Sequence, residues 1–293
     1  MKQRVVVLGA GGQLGRELQR TADPALECVA LQRAQLDIAD AGAVASSLED
    51  LAPGLVINAA AFTGVDAAEA EPGMALATNA AGPRHLAQTC GELGIRLIHL
   101  STDFVFDGES AHPYAPDAAT APLGEYGRSK LAGEEAVCDT LSDALIVRTA
   151  WVYSSFGNNF VKTMLRLMAE REELAVVADQ VGTPTWARGL ALALWQAAAR
   201  PQLRGIYHWT DAGVCSWYDF AVAVCEEACA RELLSRQVRI RPIPASDYPT
   251  PARRPAYSVL DKTSSWRDLG LEGVHWRSNL RAMLDDFKEL QDE

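Results

Sequence analysis

Arg4-Val5-Val6-Val7-Leu8 is a short β-branched run that stops on glycine. The loop that follows, Gly9-Ala10-Gly11-Gly12-Gln13-Leu14-Gly15, leads into helical spacing over residues 13–21. A buried strand, a glycine turn and a helix form the opening unit of a fold that holds a phosphate at the helix start. The glycines fit GxxGxxG at Gly9, Gly12 and Gly15; GxGxxG fails because the third residue after Gly11 is Leu14. The physical demands are a tight turn, close backbone approach to a pyrophosphate and close helix–strand packing. Unpaired N–H groups and the helix dipole then favour an anion. A glycine turn without a ligand is the plainer reading; its place directly after the first strand favours the phosphate site.

The same alternation continues. Apolar runs recur at 28–31, 55–57, 97–100 and 144–147, and residues 74–93 and 126–138 carry helical patterns. Strands alternating with helices predict an α/β protein, a Rossmann-type doubly wound parallel sheet covered on both faces. Beyond Trp151 the pattern loosens. Residues 159–171, 187–199 and 275–290 read as helices, and Val176-Val177 as a short strand before Gly182-Thr183-Pro184. The stretch 239–258 carries Pro242, Pro244, Pro249, Pro251 and Pro255 and reads largely as loop. The plan expected is an NAD(P)-binding domain over 1–150 plus roughly 175–215, and a smaller C-terminal substrate lobe over roughly 151–174 and 216–293. Substrate is expected between them.

Composition removes other classes. The net charge is −11 and there is no dense Lys/Arg run, which argues against nucleic acid. No apolar stretch is long enough for a membrane span. The apolar run after Lys2 and Arg4 is too short for a signal peptide. Six cysteines form no CxxC, and five histidines show no metal spacing. The chain therefore reads as cytoplasmic, with buried free thiols.

The chemistry centres on Tyr126-Gly-Arg-Ser-Lys130. At i and i+4 the two side chains share a helix face, roughly 5–6 Å apart. An ammonium beside a phenol is expected to lower its pKa from about 10, making it a better acid/base near neutrality. YxxxK alone carries little information. Its weight comes from Thr102, which ends the fourth predicted strand in Ser101-Thr102-Asp103, at the edge where α/β sheets bind ligands. At the end of the second strand Leu31 is followed by Gln32-Arg33, where an NAD binder usually places an acid. Arg33 suits a 2′-phosphate, which favours NADPH, with NADH left open; an exposed surface arginine is the plainer alternative.

The chain resembles the dTDP-4-dehydrorhamnose reductases of the extended short-chain dehydrogenase/reductase superfamily nearly end to end. The similar stretches are VVVLGAGGQLGRELQR, LDIAD, VINAAAFTGVDAAEAEP, LSTDFVFDG, EYGRSKLAGEE, RTAWVYSSFGNNFV, DQVGTPTW and RRPAYSVLD. The resemblance implies that Gly12, Gln13 and Leu14 line the cofactor phosphates, with Asp37 and Ile38 by the adenine. Ala59, Ala60, Ala61 and Phe62 would flank the nicotinamide ribose, and Thr63 and Val65 would approach the sugar. Thr102 and Asp103 would contact substrate, and Trp151 would stack near the sugar or nucleotide. Tyr126 would donate the proton, with Lys130 as its partner. The implied reaction is hydride delivery to the C4 ketone of dTDP-4-dehydro-β-L-rhamnose.

Two departures stand out. Phe104 follows Ser-Thr-Asp where the family often has tyrosine. Some members bind Mg²⁺ between subunits through carboxylates; Glu17 matches one such position, but helix 187–199 offers no acid. A bound Mg²⁺ is therefore not expected, and a homodimer stays open. Two other classes compete: a non-catalytic regulatory subunit on the same fold, and a sugar-nucleotide epimerase that retains NAD. Intact Thr102, Tyr126 and Lys130 favour the enzyme, and the missing second-strand acid disfavours the epimerase.

Overall fold

Alternation of strand and helix through the first 150 residues builds one side of the molecule. The structure, a computed structural model, describes residues 2–292. In order come β1 (Arg4–Leu8), α1 (Gln13–Arg20), β2 (Glu27–Leu31), α2 (Ala41–Leu51), β3 (Leu55–Asn58), α3 (Val65–Ala70), α4 (Pro72–Leu76), α5 (Gly82–Leu93), β4 (Arg96–Thr102), α6 (Glu125–Thr140) and β5 (Leu145–Thr149). The second half adds β6 (Val152–Tyr153), α7 (Phe160–Glu170), β7 (Glu173–Val177), β8 (Val181–Gly182), β9 (Thr185–Trp186), α8 (Ala187–Ala198), β10 (Gly205–His208), β11 (Cys215–Ser216), α9 (Trp217–Ala230), β12 (Arg239–Ile243), α10 (Thr263–Leu269) and α11 (Trp276–Asp292).

Six strands form one parallel sheet in the order β10-β5-β4-β3-β1-β2. Successive residues of each strand point to opposite faces. Val6, Leu8, Val56, Leu97 and Ile146 meet Val44 and Leu48 of α2, Leu86 of α5 and Val137 of α6. Val5, Val7, Leu55, Ile57, Ile98, Leu145 and Val147 meet Leu18 of α1 and Leu190 and Leu194 of α8. Burial on both faces is why these strands read as unbroken apolar runs rather than alternating ones. The strand order reverses between β1 and β3, so the crevice beyond their carboxyl ends is the place where this architecture takes a ligand.

A separate core lies to one side. Tyr153, Val161, Met164, Phe220, Val224, Trp276, Leu280 and Met283 pack together there, drawn from β6, α7, α9 and α11. Its helix α9 begins at a capping box between Ser216 and Asp219.

Several elements differ from expectation. The helix read over 74–93 starts earlier, at Pro72, and carries a π turn at Ala77–Ala81 between α4 and α5. The proline-rich stretch is not all loop: Arg239–Ile243 pairs in parallel with Glu173–Val177, which also extends the strand read at Val176-Val177. Pro242 is tolerated because this is a two-stranded sheet in which every strand has a free edge. Strand β10, sixth in the main sheet, carries no turn signal strong enough to expose it in the sequence.

Helix α6 is fixed to the sheet by a buried ion pair. Arg148 of β5 reaches Glu134 at 2.6 Å, with side chains 3% and 2% exposed. The Arg148 guanidinium also donates to the Pro116 carbonyl and lies 5.0 Å from the Phe106 ring centre. Among the described residues no helix is long and apolar enough to cross a membrane. Glu134→Ala leaves the Arg148 charge buried without its partner, so unfolding in denaturant is expected to show a loss of about 3–5 kcal/mol.

Candidate active site

The glycine loop sits at the switch point. Gly9 has φ +79°, and a Cβ there would meet the Ala59 carbonyl oxygen at 2.6 Å. A Cβ on Gly15 would lie 2.2 Å from the Gly9 carbonyl oxygen. The Gly12 N–H donates to that same carbonyl at 3.0 Å, closing the turn. Gly12 caps α1 with no side chain occupying its N–H groups. A helix start cleared of side chains beside the end of β3 fits a dinucleotide pyrophosphate.

Gln13 lies in the first turn of α1, where its Oε1 accepts from Asn159 at 3.0 Å; Leu14 packs toward the sheet core. Past β2, the Gln32 side chain reaches the space beside Gly11. Arg33 is largely exposed and pairs with Asp37 at 3.1 Å. Asp37 is held below the usual carboxylate range mainly by the Ala39 N–H, with Arg33 adding to it. Ile38 is buried, its side chain lying where a Cβ on Gly82 would strike it at 2.6 Å, so its packing supports α5.

Ala59, Ala60, Ala61 and Phe62 follow β3. Asn58 Oδ1 accepts from the Ala60 N–H, and Asn79 clamps Phe62 by accepting its N–H at 2.8 Å and donating to its carbonyl at 3.0 Å. Asn79 also donates to Ser129 of α6. Sequence reasoning missed Asn79, which lies in the π turn; a buried asparagine inside an apolar helical pattern was the available signal. Thr63 is exposed on the same loop, and Val65 opens α3.

Thr102 and Asp103 end β4. The Thr102 hydroxyl donates to Asp103 Oδ1 at 3.0 Å and accepts from the Phe104 N–H. Phe104 meets the Tyr126 ring edge-on at 5.5 Å. Burial pushes the Asp103 carboxyl up to about 6, against hydrogen bonds from Ser258 and Thr102. Burial pushes the Tyr126 phenol up to about 12; the Thr102 hydroxyl opposes this and the Asp103 charge adds to it.

Lys130 corrects one expectation. Its Nζ donates to the Leu100 carbonyl at 2.7 Å, and burial brings its pKa down to about 8 against the opposing charge of Glu134. Here the ammonium does not pull the phenol down. One of its three donors goes to a strand carbonyl, and desolvation is the largest influence on the phenol.

Trp151 holds φ +47°, a left-handed conformation that costs a non-glycine residue roughly 1–3 kcal/mol and concentrates at functional sites. Its indole stacks on Trp217.

Glu17 is not available to a metal. It is fully buried, accepts from Ser154, and pairs with Arg188 at 3.1 Å. Arg188 also reaches Asp286 at 2.7 Å, and Arg20 reaches Asp286 at 3.0 Å. Burial raises the Asp286 carboxyl, but bonds from Arg20, Ser155 and Arg188 outweigh it and bring it to about 2. Two guanidinium groups stand where a cation would have to bind, so these residues do not fit Mg²⁺. Among the described residues no group of three or more His, Cys, Asp or Glu side chains is arranged to hold a metal.

A family model described as the RmlD substrate binding domain matches residues 3–289. The chain belongs to the dTDP-4-dehydrorhamnose reductase family. It is 42% identical over 287 residues to the dTDP-4-dehydrorhamnose reductase of Sinorhizobium fredii, covering 96% of each chain. Against the enzyme of that name from Streptomyces griseus the identity is 46%, over 99% of this chain and 94% of the other. The crystal structure of dTDP-4-dehydrorhamnose reductase from Bacillus anthracis in complex with NADP superposes with a TM-score of 0.92. It is 36% identical and covers 98% of this chain and 100% of that one.

For this family member, chelator or added Mg²⁺ is expected to leave the thermal midpoint unchanged within about 1 °C. Arg188→Met strips the buried Glu17 of its main counter-charge and is expected to cost about 2 kcal/mol. Differential scanning fluorimetry with and without EDTA checks both.

Proposed function

We propose that the chain reduces the C4 ketone of dTDP-4-dehydro-β-L-rhamnose to dTDP-β-L-rhamnose, using NADPH, in dTDP-rhamnose biosynthesis. The observation that carries this reading is the placement of Tyr126 beside Thr102, at the sheet edge that also holds the glycine loop, in a chain alike end to end with reductases of that name. Bound cofactor supplies the hydride. The residues handle everything else.

Carbonyl reduction needs a proton delivered as negative charge grows on the C4 oxygen. A phenol held at about 12 stays protonated at neutral pH and is ready to give that proton. The Thr102 hydroxyl, turning its one proton from Asp103 to the same oxygen, supplies a hydrogen bond that strengthens as charge develops. Lys130, at about 8, is close enough to neutrality to return a proton to the phenolate left behind. An epimerase that retains NAD usually carries an acid after the second strand, and here Gln32-Arg33 stands in that place. A purely regulatory subunit needs none of these three side chains.

The absence of an acid after β2 and the exposed Arg33 support NADPH over NADH. Trp151, Asp103, Thr63 and Val65 are assigned to the sugar nucleotide. The two lobes are taken as a cofactor domain built on the six-stranded sheet and a substrate lobe built on the second core. Six free thiols support work in the reducing cytoplasm. A homodimer, if formed, would use no shared metal.

The test is NADPH oxidation with a panel of 4-keto sugar nucleotides. Turnover with the dTDP-4-keto-6-deoxy sugar is expected, and no turnover with any of the panel would sink the proposal. Tyr126→Phe is expected to lower kcat by about 10²–10⁴-fold while NADPH affinity stays within about twofold. Arg33→Ala is expected to weaken NADPH about tenfold and NADH by less than twofold, read from the two KM values.

A further inference from the structure

Trp151 has one face covered and one edge met, and the residue as a whole stays partly exposed. Its indole lies on Trp217 with ring centroids 3.5 Å apart and planes 7° from parallel. Trp217 is backed in turn by Phe160 at 4.6 Å and Phe220 at 6.5 Å. As the first residue of α9 it is anchored by the Ser216–Asp219 capping box. Ser216 and Cys215 form β11, which pairs with Val181 and Gly182 of β8. A Cβ on Gly182 would meet three atoms of the Trp151 indole, at 2.6, 2.8 and 2.8 Å. Strand β8 is itself held to residues 256–258, through Val181 N–H to Ala256 and Ser258 N–H to Val181. The Trp151 carbonyl accepts from Thr185, which fixes the strained backbone from the other side.

We propose that Trp217 and Gly182 are positioning residues that determine substrate specificity. Together they form a socket that sets the plane of Trp151 against the sugar ring of the bound sugar nucleotide. This rests on the substrate reading above. The register argues for the sugar rather than the base. Thr149, two residues before Trp151, pairs with Thr102, so the indole leaves the same sheet edge as the groups assigned to the ketone. A flat apolar face suits the C–H face of a 6-deoxypyranose, which lacks the polar C6 hydroxyl of an ordinary hexose. Trp217 and Gly182 are assigned no contact with substrate; they act through the ring they hold.

Calorimetric binding of dTDP-L-rhamnose, of dTDP alone and of NADPH tests this without relying on turnover. Trp217→Leu removes the covering face and is expected to weaken dTDP-L-rhamnose about 5- to 10-fold, with dTDP and NADPH unchanged within about twofold. Trp217→Phe keeps an aromatic face and is expected to recover most of that loss. Gly182→Ala pushes the same indole from its edge and is expected to give the same selective loss, which guards against misfolding of the α9 start in Trp217→Leu. In a Trp151→Ala background both substitutions are expected to have no further effect, because they act through that ring. Full dTDP-L-rhamnose affinity in Trp217→Leu and Gly182→Ala overturns the socket. Equal loss for dTDP and dTDP-L-rhamnose overturns the sugar assignment in favour of the base. A wild-type chain that binds no dTDP-L-rhamnose overturns the substrate reading itself, and the socket with it.

Discussion

At the switch point of the sheet the backbone of Gly9 lies against the Ala59 carbonyl, and Gly15 lies against Gly9. Both contacts are closer than any side chain allows. Helix α1 can begin directly beside the end of β3 only because these positions carry no Cβ. That placement opens the crevice between β1 and β3, aims the free N–H groups of α1 into it, and brings the loop 59–62 alongside. Asn79 then holds Phe62 and reaches across to Ser129, so the loop after β3 is tied to the helix that carries Tyr126. The glycine loop, the loop after β3 and α6 are thus one connected piece.

Burial governs the chemistry of that helix. Tyr126 and Lys130 are shifted toward their neutral forms, the phenol up and the amine down. Desolvation of this kind favours a donor that starts protonated and an amine able to exchange its proton near neutral pH. The Glu134 carboxylate opposes the shift of Lys130, and its ion pair with Arg148 fixes α6 against β5. Both shifts are thus set by burial rather than by a single strong charge.

Much of this was legible in the sequence, and the reason is local. The strand–glycine–helix opening, the four apolar runs after it and the i, i+4 placement of Tyr126 and Lys130 depend on neighbours a few residues apart. What escaped depends on partners far along the chain. Strand β10 is a strand because Leu145 and its neighbours stand beside it, and β12 accommodates Pro242 only through its pairing with β7. Asn79 looks ordinary until the π turn and the Phe62 loop meet. The upward shift of the Tyr126 phenol could not be read from Lys130 alone, since burial sets its direction and the Asp103 charge adds to it. The carboxylate at Glu17 suggested a metal ligand; only the fold brings Arg188 and Asp286 to it.

That last cluster bears on how the chain matures. Arg20 and Asp286 are separated by 266 residues, and Glu17 shares the same network. During synthesis the first helix emerges long before α11 exists to complete the charge balance around it. Until then α1 carries a carboxylate whose burial is only partly compensated, so its docking on the sheet is left provisional. Helix α1 therefore reaches its final charge balance only when segments from the start, the middle and the end of the chain have met.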